Sequence, residues 1–189
     1  MAAAPDITTD SVFDRCKPID VDTHITEPAG VWTDRVSSKW GNKVPHIRNI
    51  EGRDMWFIGD TPAGGPGFYT MAGHDDTYPN VPMGYDDIPK ASFDADARLA
   101  LMDEEDIHGM VLYPNLGGFG SGGFLRLEEP ALMLECVQAY NDFLVDWSSA
   151  DSNRLLPVMA LPFWDVEESV KEIQRSAAKG HRAVLFGSR

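Results

Sequence analysis

Cysteine is scarce in this chain, and so is positive charge. Two cysteines, Cys16 and Cys136, among 189 residues supply no disulfide framework, so a reducing, cytoplasmic setting is expected. Lysine and arginine number 16 against 30 aspartates and glutamates, a formal net charge of -14. That balance argues against nucleic acid and anionic membrane surfaces as partners, because both attract the opposite sign. No apolar run approaches the about 20 residues that a membrane helix needs. The opening MAAAPDITTD has neither a basic segment nor an apolar core, so no signal peptide is expected. Internal repeats and low-complexity tracts are also missing. What is present is an ordinary globular composition, 43% hydrophobic and 24% charged, which excludes a disordered or collagen-like chain.

Strand and helix signals alternate along the chain. Pro18-Ile19-Asp20-Val21-Asp22-Thr23-His24 has the period-2 pattern of a strand, which predicts Asp20, Asp22 and His24 on one face. Residues 28 to 93 read as a loop-rich insertion, rich in proline, glycine and aromatics, with a hairpin arm around Glu51 to Asp60. A helix capped by Asp94 follows, with Leu99 and Met102 on its buried stripe, and His108-Gly109 stops it. Met110 to Pro114 is an apolar strand, and Asn115 to Gly123 a glycine-rich loop expected to cover a substrate. Leu132, Met133, Cys136, Val137, Tyr140, Phe143, Leu144 and Trp147 recur at helical spacing behind Pro130. Leu155 to Leu161 is a third core strand. Asp165 with Glu168 opens a last helix with Val166, Val170, Ile173 and Ala177 as its predicted buried face, closed by Gly180. Ala183 to Phe186 is a fourth strand. The order implies a parallel sheet with right-handed crossovers, either a small doubly wound sheet or the first half of an eight-stranded barrel.

An acidic residue and a histidine two apart at the carboxyl end of a barrel strand can both reach a divalent ion. Asp22 and His24 are therefore candidate ligands, with Glu27 a further ligand or an outer-shell partner. The alternative for these residues is loop capping and a satisfied polar histidine. Asp20-Val21-Asp22-Thr23 also suggests a phosphotransferase aspartate pair, but Asp14-Arg15-Cys16-Lys17-Pro18 stands where that site needs an apolar strand. No Gly-Lys-Ser/Thr follows the glycine run, so phosphate cradling is not expected. His74-Asp75-Asp76 reads as a solvated loop, and Cys136 and Trp147 as packing.

The run Ile19-Asp20-Val21-Asp22-Thr23-His24-Ile25-Thr26-Glu27-Pro28, followed by Val31-Trp32, resembles the opening of the amidohydrolase-related family, in the branch of aminocarboxymuconate-semialdehyde decarboxylase. Arg98 to Ile107 before the second strand, Asn141-Asp142-Phe143-Leu144, Arg154-Leu155-Leu156-Pro157 and Lys179 to Val184 are similar to the family in the same order. The resemblance implies a metal-dependent (β/α)8 barrel, zinc or else manganese, with Asp22 and His24 in the two first-strand ligand positions. It also implies a hydrolase or non-oxidative decarboxylase of small carboxylated or cyclic organic substrates.

That family completes its site with a later histidine, on about the fifth strand, and an aspartate near the last. Four strand units contain neither, so the chain is expected to be one barrel fragment over 1–189, truncated before those ligands and without an assigned base. The alternative is a non-catalytic half-barrel or binding module, working as a homo-oligomer or with a complementing chain.

Overall fold

This computed structural model describes residues 16–71, 74–117 and 119–185. The opening segment, Asp14 and Arg15, Gly118 and Phe186 lie outside the described residues. The chain begins with β1 (Ile19–Ile25), then β2 (His46–Ile50), β3 (Arg53–Ile58) and β4 (Thr61–Pro62). After α1 (Ala95–Glu104) come β5 (Gly109–Pro114), α2 (Pro130–Ser148), β6 (Leu155–Met159), α3 (Val166–Lys179) and β7 (Ala183–Val184). Among the described residues no helix is long and apolar enough to cross a membrane.

Strands β1, β5, β6 and β7 form one parallel sheet in that order. The order decides between the two architectures expected from the sequence. A doubly wound sheet reverses direction at a switch point, whereas a barrel adds each strand beside the one before it. Here every strand lies beside its predecessor in the sheet, which is the barrel progression. Met110, Leu112 and Leu155 are all nearly or fully inaccessible, whereas Val111, Tyr113 and Leu156 on the opposite face are only half-buried.

The helices form where their end signals stand. Asp94 caps α1 by accepting from Ala97 N at 2.8 Å, and Asp165 caps α3 by accepting from Glu168 N at 3.0 Å. Gly180 ends α3 at φ 123°, a conformation a side chain would strain. The stripe predicted for α2 is the buried one, from Leu132 through Leu144.

For α3 the predicted face is wrong. Val166 and Val170 are 76% and 50% exposed, and Ser169, Glu172 and Ser176 face inward instead. A polar network holds this helix. Asn141 of α2 donates to Ala160 O and Glu172 Oε1 and accepts from Ala160 N. Arg175 forks onto Glu172 and reaches Asp142, and Ser176 donates to Glu172. Removing Asn141 strands the backbone N–H and C=O of Ala160 and takes one donor from the buried Glu172 carboxylate. Asn141→Leu is therefore expected to cost about 2 kcal/mol in urea unfolding. A loss under about 0.5 kcal/mol would mean that Asn141 does not tie α2 to the end of β6.

Residues 28 to 93 are more regular than their composition suggests. β2, β3 and β4 make a three-stranded antiparallel sheet, and Glu51-Gly52 turns the first hairpin with φ of 51° and 86°. Thr61–Pro62 sits at its edge, where proline is tolerated. Trp32 and Trp56 of this segment lie in the same core as Leu132, Cys136 and Tyr140 of α2.

Candidate functional site

The carboxyl end of β1 carries the candidate residues, and a bulge decides which of them meet. Asp20 pairs with Met110, yet Thr23 pairs with Leu112, so β1 has one extra residue between them. Asp20 therefore does not share a face with Asp22 and His24. Its carboxylate accepts from Asp22 N at 3.0 Å. The Thr23 hydroxyl and that Asp22 N–H hold its pKa below the usual carboxylate range, and the Arg98 charge adds to the effect. Asp22 and His24, two residues apart, remain side by side, with His24 Nε2 3.8 Å from Asp22 Oδ1.

His24 is oriented from behind. Its Nδ1 lies 2.9 Å from Pro114 O at the end of β5. A carbonyl only accepts, so Nδ1 carries a proton, and Nε2 is the ring nitrogen turned toward Asp22. His24 stands beside Tyr113 in register, with ring centroids 6.0 Å apart.

The next three residues are held by different segments. Arg98 Nη2 donates to His24 O, Asn115 Nδ2 to Ile25 O, and Thr26 N to Ser92 O. Thr26 and Thr70 hydroxyls are 2.8 Å apart, and Tyr85 OH donates to Glu27 O. Glu27 is 1% exposed, and its Oε1 accepts from Asn115 N and Leu116 N, both at 2.9 Å. Burial pushes its pKa up to about 7 against the opposing pull of those amides. Glu27 is thus tied to the loop after β5, and among the described residues it forms no three-residue ligand group with Asp22 and His24.

A zinc ion bound tetrahedrally at 2.0 to 2.2 Å separates two donor atoms by about 3.4 Å. The 3.8 Å spacing and the tautomer of His24 suit two corners of such a site. Among the described residues no group of three or more His, Cys, Asp or Glu side chains could hold an ion. His46 is occupied by Val44 O and Arg48 Nε, and His181 is buried between Asn141 O and Pro157 O. The residues fit the first half of a metal site, and the third protein ligand of a catalytic zinc is not among them.

The loop after β5 is compact. Gly123 N donates to Gly117 O, a Cβ on Gly123 would meet Leu116 O at 2.7 Å, and Phe124 anchors the loop in the core. Cys136 is fully buried, and burial pushes its thiol pKa well up, as an inert packing residue requires. A cleft of about 880 Å³ lined by Lys17, Asp103, His108 and Arg154 lies at the amino ends of the strands, opposite the Asp22–His24 pair. Barrel enzymes do their chemistry at the carboxyl ends.

No family model and no curated protein matches this chain. Solved structures do. An amidohydrolase from Mycobacterium avium subsp. paratuberculosis K-10 superposes with a TM-score of 0.69 at 22% identity, over 90% of this chain and 49% of that one. A 2,6-dihydroxybenzoate decarboxylase bound to 2,6-dihydroxybenzoate gives 0.53 at 17% identity, over 91% of this chain and 39% of the other. The same enzyme from Rhizobium gives 0.49 at 17%. The chain spans about half the length of the amidohydrolase it matches. The fold is that of about four βα units of a (β/α)8 barrel, with the 28–93 segment inserted after the first strand.

Proposed function

We propose that this chain is the first-strand half of a metal-dependent amidohydrolase-like site, with Asp22 and His24 as two protein ligands of a divalent ion. Zinc is the first choice and manganese the second. The observation that carries the reading is the pair itself: strand alternation puts Asp22 within 3.8 Å of His24 Nε2, while Pro114 O holds the other ring nitrogen. The pair stands at the carboxyl end of a barrel strand, where such enzymes place their chemistry. An ion bound there supplies Lewis acidity, suited to hydrolysis or to non-oxidative decarboxylation of a small carboxylated or cyclic substrate. The chain's own residues orient the donors: Pro114 O selects the His24 tautomer, and Arg98 pins the carbonyl of the same residue. No residue here is assigned as base, and the finer likeness to aminocarboxymuconate-semialdehyde decarboxylase rests on the sequence segments alone.

A second reading, a half-barrel that acts with a complementing chain or a second copy, is favoured by the uncovered apolar residues. Ile19 and Val21 on β1 are 51% and 65% exposed, at one edge of the sheet, and Val166 and Val170 are exposed on α3 near the other.

Zinc titration of the chain tests the metal assignment. Asp22→Ala and His24→Ala are each expected to weaken binding roughly tenfold or more. Asp20→Asn, on the other face of the bulge, is expected to leave binding unchanged. Absence of binding, or an equal loss with Asp20→Asn, would overturn the assignment. Sedimentation of the same sample addresses the second reading, which a compact monomer would contradict.

A further inference from the structure

The hydrogen bonds at the site form a relay through one peptide group. Pro114 O accepts from His24 Nδ1 at 2.9 Å, and Asn115 N donates to Glu27 Oε1 at 2.9 Å. That carbonyl and that N–H belong to the same peptide unit. In a planar trans peptide they point to opposite sides, so fixing one fixes the other. Leu116 N, on the next unit, donates to the same Glu27 oxygen at 2.9 Å. Two donors on one acceptor define the plane of the Pro114–Asn115 unit more tightly than a single bond would.

Glu27 is itself immobilised. Tyr85 OH donates to its carbonyl, Thr26 N to Ser92 O, and Asn115 Nδ2 to Ile25 O, which closes a ring between the ends of β1 and β5. The side chain is buried, so water does not compete for its Oε1.

We propose that Glu27 is a positioning residue for His24, acting through the Pro114–Asn115 peptide to hold the imidazole in its Nδ1–H tautomer with Nε2 toward Asp22. Its importance to activity rests on the Asp22–His24 reading, but the relay can be tested without it. Hydrogen bonds linked in series polarise one another, so an acceptor on the amide strengthens the carbonyl that receives His24. Removing that acceptor frees the peptide to tilt and leaves two buried N–H groups unmatched.

The test is nitrogen-15 NMR of histidine-labelled, metal-free chain at about pH 8.5, where an ordinary imidazole is neutral. Ring nitrogen shifts give the ratio of the two His24 tautomers, and amide exchange is read at Asn115 and Leu116. Glu27→Gln keeps a carbonyl oxygen in place and is expected to keep both the wild-type ratio and slow exchange. Glu27→Met removes the acceptor, and the Nδ1–H to Nε2–H ratio is expected to fall about fivefold or more, the worth of one hydrogen bond. Both amides should exchange faster. Should Glu27→Met not fold, Glu27→Asp, which withdraws the carboxyl by one methylene, is expected to give the same two changes. A folded Met or Asp variant with the wild-type tautomer ratio would overturn the proposal, as would loss of that ratio in Glu27→Gln. No metal is added, so failure here leaves the metal assignment standing, and failure of the zinc titration leaves the relay standing.

Discussion

Trp32→Ala is expected to cost about 4 kcal/mol of folding stability, the range for emptying a large aromatic site in a core. The indole is 0% exposed, and Nε1 donates to Cys136 O at 3.0 Å. Its ring meets Trp56 edge-on at 5.3 Å and Phe124 at 5.7 Å. Those partners come from α2, from β3 and from the loop after β5, so one side chain joins three segments far apart in sequence. Alanine leaves a void that none of them can fill without moving the others. Urea unfolding should show a single transition at a lower midpoint with an unchanged slope, because residues 28 to 93 share the core of the half-barrel. Phe68→Ala, at a side chain 56% exposed, should stay within about 0.5 kcal/mol of wild type. A Trp32→Ala cost below about 1 kcal/mol, or two separate transitions, would show that the inserted segment folds apart from the barrel.

Periodicity in the sequence was a sound guide wherever a helix buries its apolar side. Leu132, Met133, Cys136, Val137, Tyr140, Phe143 and Leu144 are read correctly because α2 packs that stripe against the sheet and the inserted segment. The same logic fails for α3. Its contact with α2 runs through Glu172, bonded by Asn141, and Arg175, bonded to Asp142, while the inward Ser169 and Ser176 bond Pro162 O and Glu172. A pattern of apolar residues cannot reveal that the polar side is the packed one. β2 was missed for a different reason. His46, Ile47, Arg48, Asn49 and Ile50 alternate too weakly to signal a strand, and only pairing with β3 makes them one.

At the site, Asp22 and His24 were legible because strand alternation places residues two apart on one face. Asp20 was misplaced because alternation assumes an unbroken ladder, and one inserted residue reverses every side chain before it. No residue in Ile19-Asp20-Val21-Asp22-Thr23 is a glycine that would announce a bulge. The Asp20 carboxylate itself stabilises it, by taking the Asp22 N–H out of the ladder. The sequence named Glu27 as a candidate further ligand or outer-shell partner, but the groups it bonds were out of reach of any local rule. They are backbone amides of Asn115 and Leu116, 88 and 89 residues along the chain. Backbone groups carry no sequence signature, so only the fold exposes the tie between Glu27 and the loop after β5.

That burial predicts an unusual pH profile. Relative to Glu27→Gln, the wild-type chain is expected to lose about 3 kcal/mol of stability as pH rises from about 4.5 to 7, at about 1.4 kcal/mol for each unit by which the pKa is raised. The folded state raises the carboxyl from 4.5 to about 7, chiefly by burial. Between those values the native chain holds a proton that the unfolded chain has released, so stability falls with pH. The contribution is complete below the unfolded pKa and gone above the folded one. Burial prevails here over the Asn115 and Leu116 amides, which donate to Oε1 and favour the ionised form. Asp20, Asp142 and Glu172 run the other way. Their pKa values are lowered in the folded state, so their contributions are present above the usual carboxylate range and vanish as pH falls. The wild-type curve alone mixes both kinds of group. Subtracting the Glu27→Gln curve, from urea midpoints taken between about pH 4 and 8, leaves the Glu27 contribution, since every other carboxyl is common to both chains. Parallel curves would show that Glu27 ionises in the folded state as it does in water. A difference that grows with rising pH in favour of wild type would show an ionised carboxylate held by its amides.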